Sequence, residues 1–472
     1  MKKTFIAILA VSAGLLAFTA CQKSLSDVQT SQVITKTVTV SDTPWTADTK
    51  TAFTEADGIK VTGKENMAVF YYFGNKKSTV SGLTKVYATP VKNGDGYTYS
   101  FSHTAVEDST YNYQFVLPNT SRVKPNSKST AHEFWLHPTQ FPAEDSFDPN
   151  MDALVGQAQY GVAAKTSVSD VKFRRLFSHL ELKLSDGKSV LGDEKIHTVT
   201  FALSTNVTDS TALTGIVYPA HSDVYSDGRN TMETPGNAVT AHYPAGLGKN
   251  SDGTYHIWYV VNPMAVAANT EITVTVTADT KTITRTVALP EAREIVKGKF
   301  NLIELDITGA GYTTQESAYY NFSVADASAL PSAWAAGTTT SFEADTEGSA
   351  YPISLYLTAP QASSSLTYTV PTGKSVSGIK LYIHPLSPNS GTGLSITCGT
   401  KSCGKYNLDY KVAGETSTSG GLKYFYNGMS TNSKYKWPDS ISSFVFSAST
   451  THSNSIRLVD AVVLFGTATA GE

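Results

Sequence analysis

The sequence predicts an all-β chain, with two β-sandwich domains followed by a C-terminal β-sandwich or jelly-roll domain. Three observations predict it. Of 472 residues, 40% are hydrophobic and only 16% charged, and the aromatic residues are led by 25 Tyr. A chain rich in Thr, Val, Tyr and Gly favours strands and turns over helices. Short alternating or β-branched segments recur along the chain, punctuated by Gly, Asn, Asp and Pro, the rhythm of sandwiches. No helical period is sustained after residue 21. At roughly 100–200 residues per domain the length allows two to four domains.

The first segment reads as an address. Lys2 and Lys3 precede an apolar run from Phe5 to Ala20. That run is shorter than the ~20 apolar residues of a spanning helix and has the anatomy of a secretory signal. Thr19-Ala20-Cys21 places a Cys directly after a small residue, the lipoprotein-processing pattern, although Phe18 stands where Leu is usual. Residues 1–20 are therefore read as a lipoprotein signal peptide, Cys21 as the lipidated residue and 21–32 as a tether. Acyl chains on Cys21 would hold the protein at a membrane surface.

The mature chain then runs as a series of strands. Val33 to Val40 is almost wholly β-branched, stiff at χ1 and suited to an extended strand. Asp57-Gly58 is a hairpin signal before Lys60-Val61-Thr62. Met67 to Phe73 is apolar and ends at Gly74-Asn75; Tyr97 to Phe101 alternates aromatic and polar residues; Tyr111 to Leu117 stops at Pro118. Phe134-Trp135-Leu136 follows, then a Pro- and acid-rich stretch over 138–152. Strands are expected over 173–184, 196–203, 216–218, 257–261, 272–276, 282–289 and 300–307. Thr308-Gly309-Ala310-Gly311 interrupts the pattern and reads as a boundary. Beyond it, strands are expected at 353–358, 366–370, 378–383, 422–426, 442–447 and 455–465. The expected domains are 33–180, 181–309 and 312–472.

Residues with chemistry to offer are scattered. A net charge of -3 supplies no field for nucleic acid. His132-Glu133 … His137 misses the zinc-protease spacing by one residue, so the two imidazoles would not share a helical face. Gly187-Lys188-Ser189 and Gly373-Lys374-Ser375 lack the earlier Gly of a phosphate loop, which Leu182 and Tyr368 replace. Glu144, Asp145, Asp148 and Asp152 form the densest acid cluster, a solvated loop or a set of calcium oxygens without known loop spacing. Cys398 and Cys403 flank a Gly-containing turn and suit a small disulfide in an oxidising compartment, or remain two buried thiols. The expectation is a protein that is not an enzyme, with no metal and no cofactor. The aromatic set Tyr424, Tyr426, Tyr435 and Trp437 is the candidate glycan platform, since flat rings stack on sugar faces while their polar ends hydrogen-bond.

Several segments resemble the fimbrillin family, lipoprotein pilins and adhesins of Gram-negative anaerobes. They are Lys50-Thr51-Ala52-Phe53 … Gly58-Ile59-Lys60-Val61-Thr62, Gln140-Phe141-Pro142 … Ser146 to Gly156, Phe173 to Leu182, and Lys297-Gly298-Lys299. The resemblance covers about residues 33–308 and implies two fimbrillin-like sandwiches behind a lipid anchor, on the outer membrane or in fimbriae. It also implies a protease cut after a basic residue, here Lys36 or Lys50. The opened groove then accepts a strand from another fimbrial subunit. Residues 33–40 have the composition of such a strand, or of an ordinary first strand that never leaves. Gly63 stands where the family often has Trp, and the segment from Tyr312 is foreign to a minimal shaft subunit. Both departures point to an accessory, tip or stand-alone surface member rather than a shaft pilin. The alternative expectation is a glycan-binding surface lipoprotein of a carbohydrate-uptake system, with host or dietary glycans or surface proteins as partners.

Overall fold

The computed structural model describes residues 31–40, 52–54, 58–60, 66–74, 83–93, 96–119, 123–125, 132–168, 171, 173–187, 189–205, 211–218, 232–322, 326–343, 354–357, 363–385, 393–407, 423–427, 441–448, 456–467 and 469–471. The chain is all-β. Among these residues the only helical element is a 3-10 turn at Ala327–Ala329, capped by the Asp326 side chain.

The first sheet contains β1 (Ser31–Val40), β2 (Met67–Phe73), β3 (Thr84–Asn93), β4 (Gly96–Val106), β5 (Thr110–Leu117), β6 (Leu154–Ala163) and β7 (Phe173–Arg175). Its order is β1-β4-β3-β2-β5-β6-β7. One face carries Val38, Met67, Val69, Tyr99, Phe101, Tyr113, Phe115 and Phe173 into a common core. The other face, through Ala68, Phe70 and Val116, packs on Phe134, Phe147, Phe177, Trp258 and Val260. A strand buried on both faces must be apolar at consecutive positions, which is why β2 begins Met67-Ala68-Val69-Phe70 with all four buried.

The second unit is built on β8 (Ser178–Ser185), β9 (Ile196–Leu203), β10 (Ala238–Leu247), β11 (Tyr255–Val261), β12 (Glu271–Ala278), β13 (Lys281–Ala288), β14 (Phe300–Asp306) and β15 (Tyr312–Thr314). A three-stranded sheet, β11-β8-β14, faces a larger sheet whose strands run β10-β9-β12-β13-β15. Alternation is strict where one side is wet: β12 buries Ile272, Val274 and Val276 and turns Thr273, Thr275 and Thr277 outward. Leu180, Leu182, Val199, Phe201, Tyr259 and Ile283 fill the space between the sheets. Residue 180 lies within β8, and the strand Thr214–Val217 pairs back to His132–Leu136. The first two units thus share strands and core across the expected 180/181 division.

The third unit contains β16 (Ser317–Asn321), β17 (Val376–Pro385), β18 (Gly393–Cys398), β19 (Lys401–Asn407), β20 (Lys423–Asn427) and β21 (Ile456–Phe465). Trp334, Tyr368, Phe444, Phe446, Leu458 and Val463 form its core. The last strand, β22 (Thr469–Gly471), leaves this unit, pairs with β15 and so completes the large sheet of the second one. The pause at 308–311 is a turn, with Ala310 N–H donating to Ile307 O at 3.0 Å and Gly309 at φ 74°. The sheet resumes with β15, which pairs with β13.

Candidate functional site

The site that stands out is the seat of β1. Its sequence, Val33-Ile34-Thr35-Lys36-Thr37-Val38, alternates across the strand. Val33 is 73% exposed, whereas Val38 is fully buried and Ile34 packs on the same core. β1 lies at the sheet edge, held along one side by an antiparallel ladder to β4 that runs from Ser31↔Val106 to Val40↔Tyr97. The inward residues Ile34, Lys36 and Val38 stand opposite His103, Phe101 and Tyr99.

Lys36 is the unusual member of that row. A lysine is seldom fully buried unless its ammonium is paired, yet Lys36 is only 4% exposed. Its Nζ donates to the carbonyls of Ala163, at 3.2 Å, and Thr166. It also stands 5.5 Å from the centre of the Tyr113 ring, within cation–π range. Among the described residues no carboxylate forms an ion pair with it. Burial accordingly lowers its pKa from the usual lysine value. Ala163 ends β6, near the far edge of the sheet. The side chain therefore bridges two strands of the sheet, β1 and β6, that no ladder among the described residues joins.

Aromatic groups complete the seat. His103, 4% exposed, donates from Nδ1 to Thr104 O at 3.0 Å, and its Nε2 accepts from the Tyr113 hydroxyl at 2.8 Å. The Tyr71 ring lies 4.1 Å from it, and Tyr111 meets it edge-on at 5.0 Å. Burial lowers the His103 pKa, with Lys36 adding to the effect.

The other predicted residues separate. Cys21, Lys50, Tyr435 and Trp437 lie outside the described residues. Tyr424 and Tyr426 sit on β20, opposite Tyr382 and Lys380 of β17 in the backbone register. Cys398 is buried and disulfide-bonded, and Cys403 occupies the register shift of the paired strand β19. A cleft of about 550 Å³ in the third unit is lined by Val370, Thr372, Lys374, Ser375, Ile441 and Ser442. Lys374 there pairs with Glu316.

The acid cluster divides into different roles. Glu144 and Asp145 are exposed. Asp148 is buried and accepts from the N–H groups of Phe141, at 2.9 Å, and Asn150, at 3.0 Å, pinning its own loop. Asp152 is buried against Arg175, whose Nε and Nη2 approach its oxygens at 2.9–3.1 Å. Neither loop pin is the solvated carboxylate expected from sequence. His132 bonds Gln114 Oε1 at 2.9 Å and stacks on Phe70 at 5.2 Å, so it is a core group. Among the described residues no group of His, Cys, Asp and Glu assembles that could hold a metal ion. No described helix is long and apolar enough to cross a membrane.

No family model matches the chain, and no curated protein matches it. Solved structures to which the chain is weakly similar include a provisionally described cell adhesion protein from Bacteroides uniformis. It is 12% identical, with 58% of this chain and 93% of that chain covered and a TM-score of 0.32. A second, from Bacteroides ovatus, is 11% identical over 60% and 97% of the two chains, with a TM-score of 0.33. A provisionally described polysaccharide-binding protein from Bacteroides thetaiotaomicron is 8% identical over 51% and 76%, with a TM-score of 0.29.

Proposed function

We propose that this chain is a cell-surface lipoprotein, anchored through Cys21, that serves as an adhesive or structural subunit and joins other subunits by exchange of strand β1. The seat of β1 carries this reading. An edge strand held by one ladder can leave without breaking any other strand pairing. Its departure bares the β4 backbone and the Tyr99–Phe101–His103 row, so that a new strand gains both a ladder and a groove. The fimbrillin-like segments support the same reading, and the third unit favours an accessory or tip position over a shaft.

Of the two candidate cuts, Lys50 suits release from the seated state. Lys36 is 4% exposed while β1 is in place, so cleavage there would follow detachment. The test is limited proteolysis of the purified mature chain at Lys residues, followed by electrophoresis without heating. A ladder of detergent-resistant oligomers is expected only after the cut. A clipped chain that stays monomeric at high concentration removes the strand-exchange reading. Separately, Cys21→Ala should move the protein from the membrane to the soluble fraction, and retention in the membrane removes the lipid anchor.

A further inference from the structure

We infer that the carbonyls of Ala163 and Thr166, together with the face of Tyr113, form a cation socket within the β1 seat, which selects an incoming strand carrying lysine at the position opposite Phe101. The inference rests on the strand-exchange reading and names the partner's chemistry. The partner is an extended segment of another chain with a lysine flanked by apolar residues two positions to either side, the pattern of Ile34, Lys36 and Val38.

The argument begins with what the seat would hold otherwise. The alternation of β1 sends position 36 towards a core that includes Val38, Tyr99, Phe101 and Tyr113. An apolar residue is the expected occupant of such a position, since burying an ammonium costs far more than burying a methyl group. The socket offsets that cost with two backbone carbonyls that accept from the ammonium. Ala163 O already accepts from Thr166 N–H at 3.0 Å, and the ammonium supplies a second donor at 3.2 Å. Thr166 O accepts from the same Nζ. An apolar side chain in the same place strips both carbonyls of a charged donor, and hydrogen bonds from a charged donor are stronger than neutral ones. The ring of Tyr113 adds a negative π-face 5.5 Å from the ammonium. With no carboxylate pairing the lysine among the described residues, recognition comes from backbone dipoles and one ring. A socket of this kind accepts a cation from any strand in the right register. A strand shifted by one residue presents the wrong face and cannot fill it.

Two measurements on the full mature chain decide it. In the first, the clipped protein is mixed with fluorescent peptides carrying the sequence of residues 31–40, either native or with Lys36→Met, and incorporation is read by polarisation. The native peptide should bind about tenfold or more tightly than the Met peptide, the range expected for loss of a charge-assisted hydrogen bond. Equal or tighter binding of the Met peptide overturns the socket while leaving strand exchange intact. Entry of neither peptide overturns the strand-exchange reading, and the second measurement then decides the socket. It is hydrogen exchange of the β4 amides in unclipped chain carrying Lys36→Met. Exchange faster than in the native chain, with the amides of β21 unchanged, is the expected result. Unchanged or slower exchange overturns the socket.

Discussion

The pair formed by Asp152 and Arg175 shows how a single residue can be misjudged from sequence. Asp152 lies in a run with Glu144, Asp145 and Asp148, and a run of acids reads as a wet loop. Its partner stands 23 residues away, and both side chains are 1% exposed or less. Nothing local marks that encounter, because it depends on β6 and β7 pairing as Leu154↔Arg175. The consequence is measurable. Arg175→Met preserves side-chain bulk but leaves the Asp152 carboxylate buried without its guanidinium, a loss of about 3–5 kcal/mol. Urea denaturation followed by Trp fluorescence should show the midpoint of the first transition fall accordingly; a change within error would mean water reaches the site. Gly156 makes a second case. A Cβ there would stand 2.7 Å from Val171 Cγ1 and 2.9 Å from both Phe115 Cβ and Phe173 Cε1. Gly156→Ala should therefore destabilise the chain by about 1–3 kcal/mol through overpacking, visible in the same denaturation curve.

At the scale of the strand, the sequence is legible where alternation is unbroken and obscure where it is interrupted. Tyr97–Phe101, Tyr111–Leu117 and Ile272–Val276 announce themselves by period two, and all lie in strands. Three long strands carry no such signal. β3 contains Pro90 and β10 contains Pro244, which demote a segment on sequence grounds. β6 contains Gly156 and Gly161 and pairs with two register shifts, so its alternation slips. The seat of β1 was half readable. The β-branched run and Lys36 lie in view, whereas His103, Tyr113, Ala163 and Thr166 come from three other segments and meet only in the folded sheet. His103 gives that seat a pH dependence. Burial lowers its pKa below the usual 6.5, so the unfolded chain takes up a proton that the folded chain resists. The stability it contributes is whole above about pH 6.5 and is lost as pH falls towards the native value. Lys36, a cation on the same face, adds repulsion once the imidazole is charged, while Tyr71 and Tyr113, whose pKa values burial raises, stay neutral in that range. Hydrogen exchange of β4, corrected for intrinsic rates, should accelerate between pH 7 and pH 5. His103→Gln should flatten that dependence, and an unflattened profile would assign it to another group.

For the whole molecule, the informative feature is how the third unit is held. Two short strands, β15 on entry and β22 on exit, pair with each other and extend the large sheet of the second unit. A single linker permits hinging, whereas two strands in one ladder resist it. Side chains reinforce the link. Tyr319 of β16 stacks on His197 of β9 at 3.7 Å and 7°, and its hydroxyl lies 3.1 Å from His242 Nε2. His197 Nε2 in turn meets Asp279 Oδ1 at 2.8 Å, and Gln315 N–H donates to Thr280 O at 3.0 Å. The turn at 308–311 reads in sequence as a boundary because a Gly-rich turn inside a sheet and one between domains have the same composition. Which it is depends on a strand more than 150 residues later in the chain. The second and third units should therefore melt together. In calorimetry the native chain is expected to show one shared transition for them. A chain lacking residues 469–472 and carrying Tyr319→Ala loses both the exit strand and the ring stack, the latter contributing about 0.5–1.5 kcal/mol beyond its buried area. That variant should show two separated transitions, and one that still melts as a single unit would place the coupling outside β22 and Tyr319.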